Sequence, residues 1–253
     1  MDKNLISLSN VHKSFGANHV LRGLTLNIKQ GESYVVLGGS GTGKSVMLKC
    51  ILGLIDIDQG DIAIDQTSMI TGDAADVSTA LNSISMLFQG SALFDSLTVW
   101  ENIFFQYLGA KKITRLEARA QAQERLEQVG LSPTVRDLYP SELSGGMQRR
   151  VALARAVSTK PKIVFFDEPT TGLDPITSSI INKLIVSCVK SIGATAITIT
   201  HDLASCRQIG DRVGLMHQGK LLWEGKVSEM DSSPHPAMQQ FIQGNEEGPL
   251  TAV

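Results

Sequence analysis

The run Tyr34-Val35-Val36-Leu37, followed at once by Gly38-Gly39-Ser40-Gly41-Thr42-Gly43-Lys44-Ser45, constrains the fold of this chain more than any other stretch. The apolar run reads as a buried strand, and the next eight residues fit the pattern G-x-x-x-x-G-K-[ST] of a phosphate-binding loop. The glycines let backbone N–H groups turn inward around phosphate, Lys44 reaches the β- and γ-phosphates, Ser45 offers a hydroxyl to Mg²⁺, and the helix expected next points its positive end at the same anion. Strand, glycine loop and helix in this order imply a nucleotide triphosphate at the carboxyl edge of an α/β sheet. The loop alone does not separate kinases, GTPases and motor ATPases.

The length of 253 residues, with 42% hydrophobic and 19% charged residues, suits one large α/β domain, with room for a subdomain. A net charge of -2 gives no basic footprint, so no nucleic-acid partner is expected. Residues 1–7 lack an apolar signal core, and the apolar region 176–199 is interrupted by Asn182, Lys183 and Lys190, so no membrane span is expected. Cys50, Cys188 and Cys206 lie far apart without C-x-x-C spacing, which favours free thiols in a reducing, cytosolic compartment.

Residues 4–37 carry short alternating apolar runs around Gly16 and Gly31, the pattern of antiparallel strands joined by tight turns, and a nucleotide base can rest against such a sheet. Strand-like runs recur at 62–64, 84–88, 163–166, 196–199 and 213–216 with helical patterns between several of them, which predicts a parallel sheet covered by helices. The region from about 90 to 159 reads as an inserted helical subdomain, with a polar helix over 114–129 ending at Gly130. Another helix is punctuated by Asp174 as N-cap, Pro175 at its first position and Gly193 after its end; Ile180, Leu184, Cys188 and Ile192 are expected to form its core-facing stripe.

Two further constellations carry chemistry. Ile163-Val164-Phe165-Phe166-Asp167-Glu168 is a buried strand ending in two carboxylates, and burial makes an unpaired acid costly. Beside a phosphate loop, Asp167 can hold Mg²⁺ through water while Glu168 polarises the attacking water as general base. Leu143-Ser144-Gly145-Gly146-Met147 opens a helical run over 148–156, placing a hydroxyl and two glycines at a helix start, a second anion site. One nucleotide does not need two such sites from one chain. The economical arrangement is a head-to-tail homodimer sandwiching two ATP, with Ser144, Gly145 and Gly146 acting in trans.

With these residues in place the sequence closely resembles the nucleotide-binding subunits of ABC transporters, whose signature L-S-G-G-Q lies just before the second carboxylate strand. The resemblance covers nearly the whole chain and departs at Met147, which stands where the signature has Gln. It implies an α/β P-loop NTPase of the ABC ATPase type, with an antiparallel β subdomain and an inserted helical subdomain, spanning 1–239 and followed by a tail at 240–253. It further implies that Phe15 stacks adenine, Gln89 is the Q-loop residue touching Mg²⁺ and water, Thr171-Gly172-Leu173-Asp174 is the D-loop, and His201 is the γ-phosphate switch. The implied nucleotide-binding set is Phe15, Gly38, Gly39, Ser40, Gly41, Thr42, Gly43, Lys44, Ser45, Val46 and Asp167, with Ser45, Gln89 and Asp167 (through water) at the metal and ATP with Mg²⁺ as the bound species.

The apolar segment 89–102 corresponds to the groove in which these ATPases receive a coupling helix of the membrane permease. Its wording A-L-F-D-S-L-T-V, with the tail pattern F-x-x-G-x-x-x-G-P at 241–249, looks like that of the MCE-linked, Mla-type phospholipid transporters. The implied function is ATP hydrolysis driving a permease that moves phospholipids or related lipids in a bacterial envelope, from the cytoplasmic face of the inner membrane. The implied partners are permease subunits, a lipid-binding MCE protein and a small STAS-domain protein, and the tail is expected to dock on the second ATPase copy. Two other readings stay open at this point: a regulatory ABC ATPase signalling across the membrane to an envelope enzyme, and a transporter ATPase with a non-lipid cargo. Soluble ABC ATPases of translation or DNA repair usually carry tandem cassettes or long coiled-coil insertions, absent here.

Overall fold

In a computed structural model, residues 3–251 are described; residues 1, 2, 252 and 253, which fall within the cassette and tail expectations, lie outside the described residues. The described residues divide into two compact units, one formed by 3–83 with 195–251 and the other by 84–194.

The first unit contains two sheets. Strands β1 (Asn4–Phe15) and β2 (Asn18–Lys29) form a long antiparallel pair closed by a two-residue turn at Ala17 and Gly16, the latter at φ +58°. Strand β4 (Gln59–Ile64) pairs antiparallel with β1, and the short β5 (Thr67–Ser68) with β4, giving the order β2-β1-β4-β5. Alternate residues of this sheet (Ile6, Leu8, Leu24, Leu26, Ile28, Ile62 and Ile64) are buried, the period-two pattern of a sheet with one covered face. The run 62–64, expected with the parallel strands, therefore belongs to the antiparallel sheet. Its Ile-Ala-Ile wording satisfies either environment, and pairing with β1 decided which.

Strand β3 (Ser33–Leu37) is central in the second sheet of this unit, parallel to β8 (Thr195–Thr200) on one side and β9 (Arg212–His217) on the other, with β10 (Lys220–Lys226) antiparallel at the edge. Every residue of β8 is buried and Tyr34 through Leu37 likewise, as required of parallel strands covered on both faces. Helices α1 (Lys44–Ile51), α2 (Ala74–Asn82), α8 (Leu203–Ile209) and α9 (Pro236–Gln243) complete the unit. The Tyr34 hydroxyl donates to the Glu224 carboxylate at 2.8 Å, and Arg212 bridges Glu32 and Glu224 at 3.0 and 2.6 Å, fastening β3, β9 and β10 together.

In the second unit β6 (Ile84–Leu87) and β7 (Ile163–Asp167) run parallel, with helices α3 (Val99–Ile103), α4 (Phe105–Gly109), α5 (Arg115–Gln128), α6 (Gly145–Ser158) and α7 (Pro175–Ile192). The polar helix expected over 114–129 is α5, started by a capping box between Thr114 and Glu117 and buried only through Ala118, Ala122 and Leu126. Asp174 caps α7 by accepting from the backbone N–H groups of Ile176 and Thr177, and Gly193 ends it at φ +65°.

The buried stripe of α7 is rotated from the expected one. It runs through Ile181, Ile185, Cys188 and Val189, whereas Ile180 is 37% exposed and Leu184 and Ile192 are half-buried. Almost every position from 180 to 186 is apolar except Asn182 and Lys183, so periodicity supports more than one face and packing selects among them. All three cysteines are free and buried. No described helix is long and apolar enough to cross a membrane.

Candidate functional site

The phosphate loop leaves β3 at Leu37, and the chain reaches His201 on leaving β8 at Thr200; Leu37 and Thr200 are register partners on adjacent parallel strands. Gly38 and His201 thus depart side by side from one sheet edge, at the carboxyl ends where open α/β sheets bind ligands. His201 is exposed, and the next residue, Asp202, accepts from the N–H groups of Ala204 and Ser205 to start α8.

Close packing and backbone conformation explain two of the loop's glycines, Gly38 and Gly43. A Cβ at Gly38 would lie 2.4 Å from the Met216 carbonyl oxygen, nearer than carbon can approach it. Gly43 is the N-cap of α1 at φ +103°, a conformation that side chains disfavour. The buried Lys44 donates to the carbonyl oxygens of Gly38 and Gly39 at 2.8 and 2.6 Å, and the Thr42 hydroxyl donates to Gly39 at 3.0 Å. The ammonium is thereby held within the curve of its own loop, at the start of α1, where helix-end N–H groups face an anion. Ser45 is exposed and Val46 half-buried on the first turn.

Phe15, the last residue of β1, is 48% exposed, with the Lys13 ammonium 5.5 Å from its ring centroid. Lys13 is itself held by Asp58 at 2.9 Å. The ring is therefore a free aromatic face at the end of the antiparallel sheet rather than a core side chain.

The second unit repeats the strand-end logic. Leu87 of β6 is the register partner of Phe166 of β7, so the segments carrying Gln89 and the pair Asp167–Glu168 depart from the same end. Gln89 is exposed, two residues past the strand rather than directly at its end, while Asp167 and Glu168 are half-buried. Glu168 has φ +47°, a left-handed conformation unfavourable for a side chain of its size. Its carboxylate accepts from the Thr171 hydroxyl at 2.8 Å, and its carbonyl oxygen accepts from the Thr171 N–H at 3.3 Å.

Ser144 is the N-cap of α6, its hydroxyl accepting from the Met147 N–H at 3.3 Å, and Gly145 and Gly146 form the first turn. Ser144 and Gly145 are exposed, and nothing lies within 4 Å of where a Gly145 Cβ would be, so this helix start presents an open backbone surface. Replacing the signature Gln by Met147 leaves the hydroxyl and both glycines in place.

Three residues that sequence reasoning did not single out hold this unit's loops. Arg149 is buried and donates to the carbonyl oxygens of Phe88 and Thr171 at 3.1 and 3.2 Å, joining the segments of Gln89 and Glu168; its desolvation pushes its pKa below the usual arginine range. Arg155 donates to the carbonyl oxygens of Ala92 and Ser91 at 2.8 and 3.0 Å. Asn102 is fully buried, accepts from the Phe94 N–H at 2.8 Å and donates to the carbonyl oxygens of Phe94, Leu97 and Thr98. Only a polar residue inside an otherwise apolar helical run hinted at any of them. Held in this way, the loop leaves Phe88, Phe94 and Phe105 each more than 40% exposed, with the Phe94 and Phe105 rings 4.4 Å apart.

Comparison with known proteins places this arrangement. The family model described as "ABC transporter" matches residues 21–171, more than half of the chain. The chain is 37% identical to the protein TRIGALACTOSYLDIACYLGLYCEROL 3, chloroplastic, of Arabidopsis thaliana, over 97% of this chain and 75% of the relative. It is 36% identical to the probable ribonucleotide transport ATP-binding protein mkl of Mycobacterium leprae (97% and 70% covered), and 38% identical to the glutamine transport ATP-binding protein GlnQ of Geobacillus stearothermophilus (91% and 94% covered). Among solved structures it is similar to the ATP-binding cassette MJ0796, a dimer in a post-hydrolysis state bound to ADP and Pi, with TM-score 0.76, 33% identity, and 88% and 98% of the two chains covered. It is also similar to cbiO1 of Clostridium perfringens, part of the ABC transporter complex cbiONQ, with TM-score 0.82, 29% identity and 93% of each chain covered. Phosphate loop, carboxylate strand, signature helix and these likenesses agree: the chain belongs to the ABC transporter family as its ATP-binding, ATP-hydrolysing subunit, an α/β ATPase of ABC type that works with ATP and Mg²⁺.

Proposed function

We propose that this subunit forms a homodimer around two ATP, hydrolyses them, and drives a membrane permease that moves phospholipid or a related lipid. The observation that carries the catalytic part is the common departure of functional segments from strand ends: Gly38 with His201 in one unit, Gln89 with Glu168 in the other. In this reading Phe15 stacks adenine, and the loop from Gly38 to Ser45, with Val46, cradles the phosphates. Ser45, Gln89 and Asp167, the last through water, hold Mg²⁺, whose charge when bound screens the phosphate oxygens. Glu168 accepts a proton from the attacking water, His201 contacts the γ-phosphate, and Ser144, Gly145 and Gly146 close over the nucleotide of the other copy.

The paired, exposed Phe94 and Phe105 and the exposed Phe88 support a groove that receives a permease element, because large apolar side chains left in water mark an interaction surface. The lipid cargo rests on the segments 89–102 and 240–250 and on the lipid in the name of the Arabidopsis relative; relatives named for ribonucleotide and glutamine transport are similar over comparable lengths. An MCE lipid-binding protein, a STAS-domain protein and a position on the cytoplasmic face of the inner membrane complete the proposed assembly. The decisive experiment is affinity capture from the native membrane in mild detergent, with mass spectrometry of the associated proteins and lipids. A permease, an MCE protein and enriched phospholipid are expected. A permease with an envelope hydrolase and no enriched lipid would overturn the cargo and favour transmembrane signalling.

A further inference from the structure

We infer that the C-terminal segment encloses a second ligand site, adjoining the phosphate loop, for a small amphiphile with one alkyl chain and no negative charge. Helix α9 ends at Gly244, at φ +68°, and residues 245–251 turn back across its buried Gln240. The Gln240 amide nitrogen donates to the carbonyl oxygens of Asn245 and Leu250 at 3.1 and 3.0 Å, and its oxygen accepts from the Leu250 N–H at 2.7 Å. A Cβ at Gly248, which sits at φ +150°, would lie 2.3 Å from that same amide oxygen, so the crossing favours a glycine. Gln218 donates to the Thr251 hydroxyl at 3.1 Å and pins the far end of the strap.

Under the strap lies a half-open cavity of about 530 Å³, within the range of about 300–1,000 Å³ typical of small-molecule sites. Its apolar wall is made by Leu215, Met216, Phe241 and Leu250, while Gly39, Ser40 and Thr42 contribute one shoulder of the phosphate loop. Phe15, Lys44 and Ser45 do not line it, whereas Gly39, Ser40 and Thr42 of the phosphate loop do, so the cavity adjoins the nucleotide site and shares that loop as a wall.

Two features define the chemistry it accepts. Glu246 is the charged residue of the lining, and neither lysine nor arginine joins it, so an anion would be desolvated beside a carboxylate with no compensating cation. His217, also in the wall, is buried, and its Nε2 has no hydrogen-bond partner among the described residues. Burial pushes its pKa below the usual histidine range, keeping the ring neutral and able to donate to or accept from an uncharged head group.

The test titrates the full chain with decylamine, 1-decanol and decanoate, each below its micelle threshold, by calorimetry at neutral pH, where the amine is cationic. A single saturable site per chain is expected for decylamine and decanol, with decanoate weaker by about ten-fold or more through like-charge repulsion. Glu246 is exposed, so Glu246→Lys should fold normally and reverse the preference between decylamine and decanoate; Phe241→Ala should weaken decylamine and decanol alike. Binding indifferent to charge, many weak sites per chain as a detergent shows, no binding at all, or an unchanged preference in Glu246→Lys would each overturn the inference.

Discussion

The Thr171 hydroxyl donates a 2.8 Å hydrogen bond to the Glu168 carboxylate, and it does so across a backbone held at φ +47°. A left-handed glutamate costs about 1–2 kcal/mol, an expense that surrounding structure must offset. Here the offset includes Thr171 bonding both ends of the residue and Arg149 fixing the Thr171 carbonyl from behind. The direction of the carboxylate is thus fixed by groups of the chain itself, which suits the general-base role proposed for it.

Glu168→Gln keeps the shape and the Thr171 contact but removes the basic oxygen. The variant should bind ATP as tightly as the parent, lose turnover by about 10²-fold or more, and accumulate as an ATP-loaded dimer. Phosphate release assays and size-exclusion chromatography with ATP check this, and full hydrolysis by the variant would remove Glu168 from the role.

Gly38→Ala introduces a carbon 2.4 Å from the Met216 carbonyl oxygen, which belongs to a central strand and has little freedom to retreat. The loop must shift instead. The expected result is at least about ten-fold weaker nucleotide binding together with a destabilisation of about 1–3 kcal/mol. Equilibrium binding of a fluorescent ATP analogue, paired with urea unfolding, measures both; unchanged affinity would show that the loop tolerates the methyl group.

Arg149→Leu keeps the helix and most of the side-chain volume but leaves the carbonyl oxygens of Phe88 and Thr171 without their donor. Charge-assisted hydrogen bonds contribute about 1.5–3 kcal/mol each, and since removing the guanidinium also relieves its burial cost, a loss of about 2–4 kcal/mol in unfolding free energy is expected rather than the full sum of two bonds. Turnover should fall further than stability alone explains, because the segments of Gln89 and Glu168 lose their common anchor. Denaturant unfolding and ATPase assays at a temperature where the variant remains folded separate the two effects.

His217 titrates below its ordinary value of about 6.5 because burial disfavours the imidazolium. Since the unfolded chain then binds its proton at higher pH than the folded chain, stability is fully present above about pH 6.5 and declines as the pH falls below it. His217→Gln should flatten that decline. Thermal melts from pH 7.5 to 5.5 on both proteins check it, and parallel slopes would assign the acid sensitivity elsewhere.

Local chemistry wrote several features directly into the sequence. The β3 strand followed by the glycine loop, the Asp174 cap and Gly193 stop of α7, the polar helix α5 and the carboxylates closing β7 all depend on neighbours within a few residues, so their residue types report them. Where the alternatives differ only in distant partners, the sequence is silent. Residues 62–64 read as a parallel strand yet pair antiparallel with β1, and the apolar stretch of α7 supports more than one stripe until packing buries Ile181 and Ile185 rather than Ile180 and Leu184. The adjacent Arg149 and Arg150 are alike as letters, but one is buried between two loop carbonyls and the other donates to the Gly130 carbonyl in a partly exposed position. The sequence by itself determined the phosphate-binding loop and the family, because backbone geometry and anion chemistry restrict which residues occupy consecutive positions. Tertiary structure alone decided which side chains hold the loops, how Glu168 is aimed and what the C-terminal strap encloses, because those depend on groups brought within hydrogen-bonding distance only when the chain is packed.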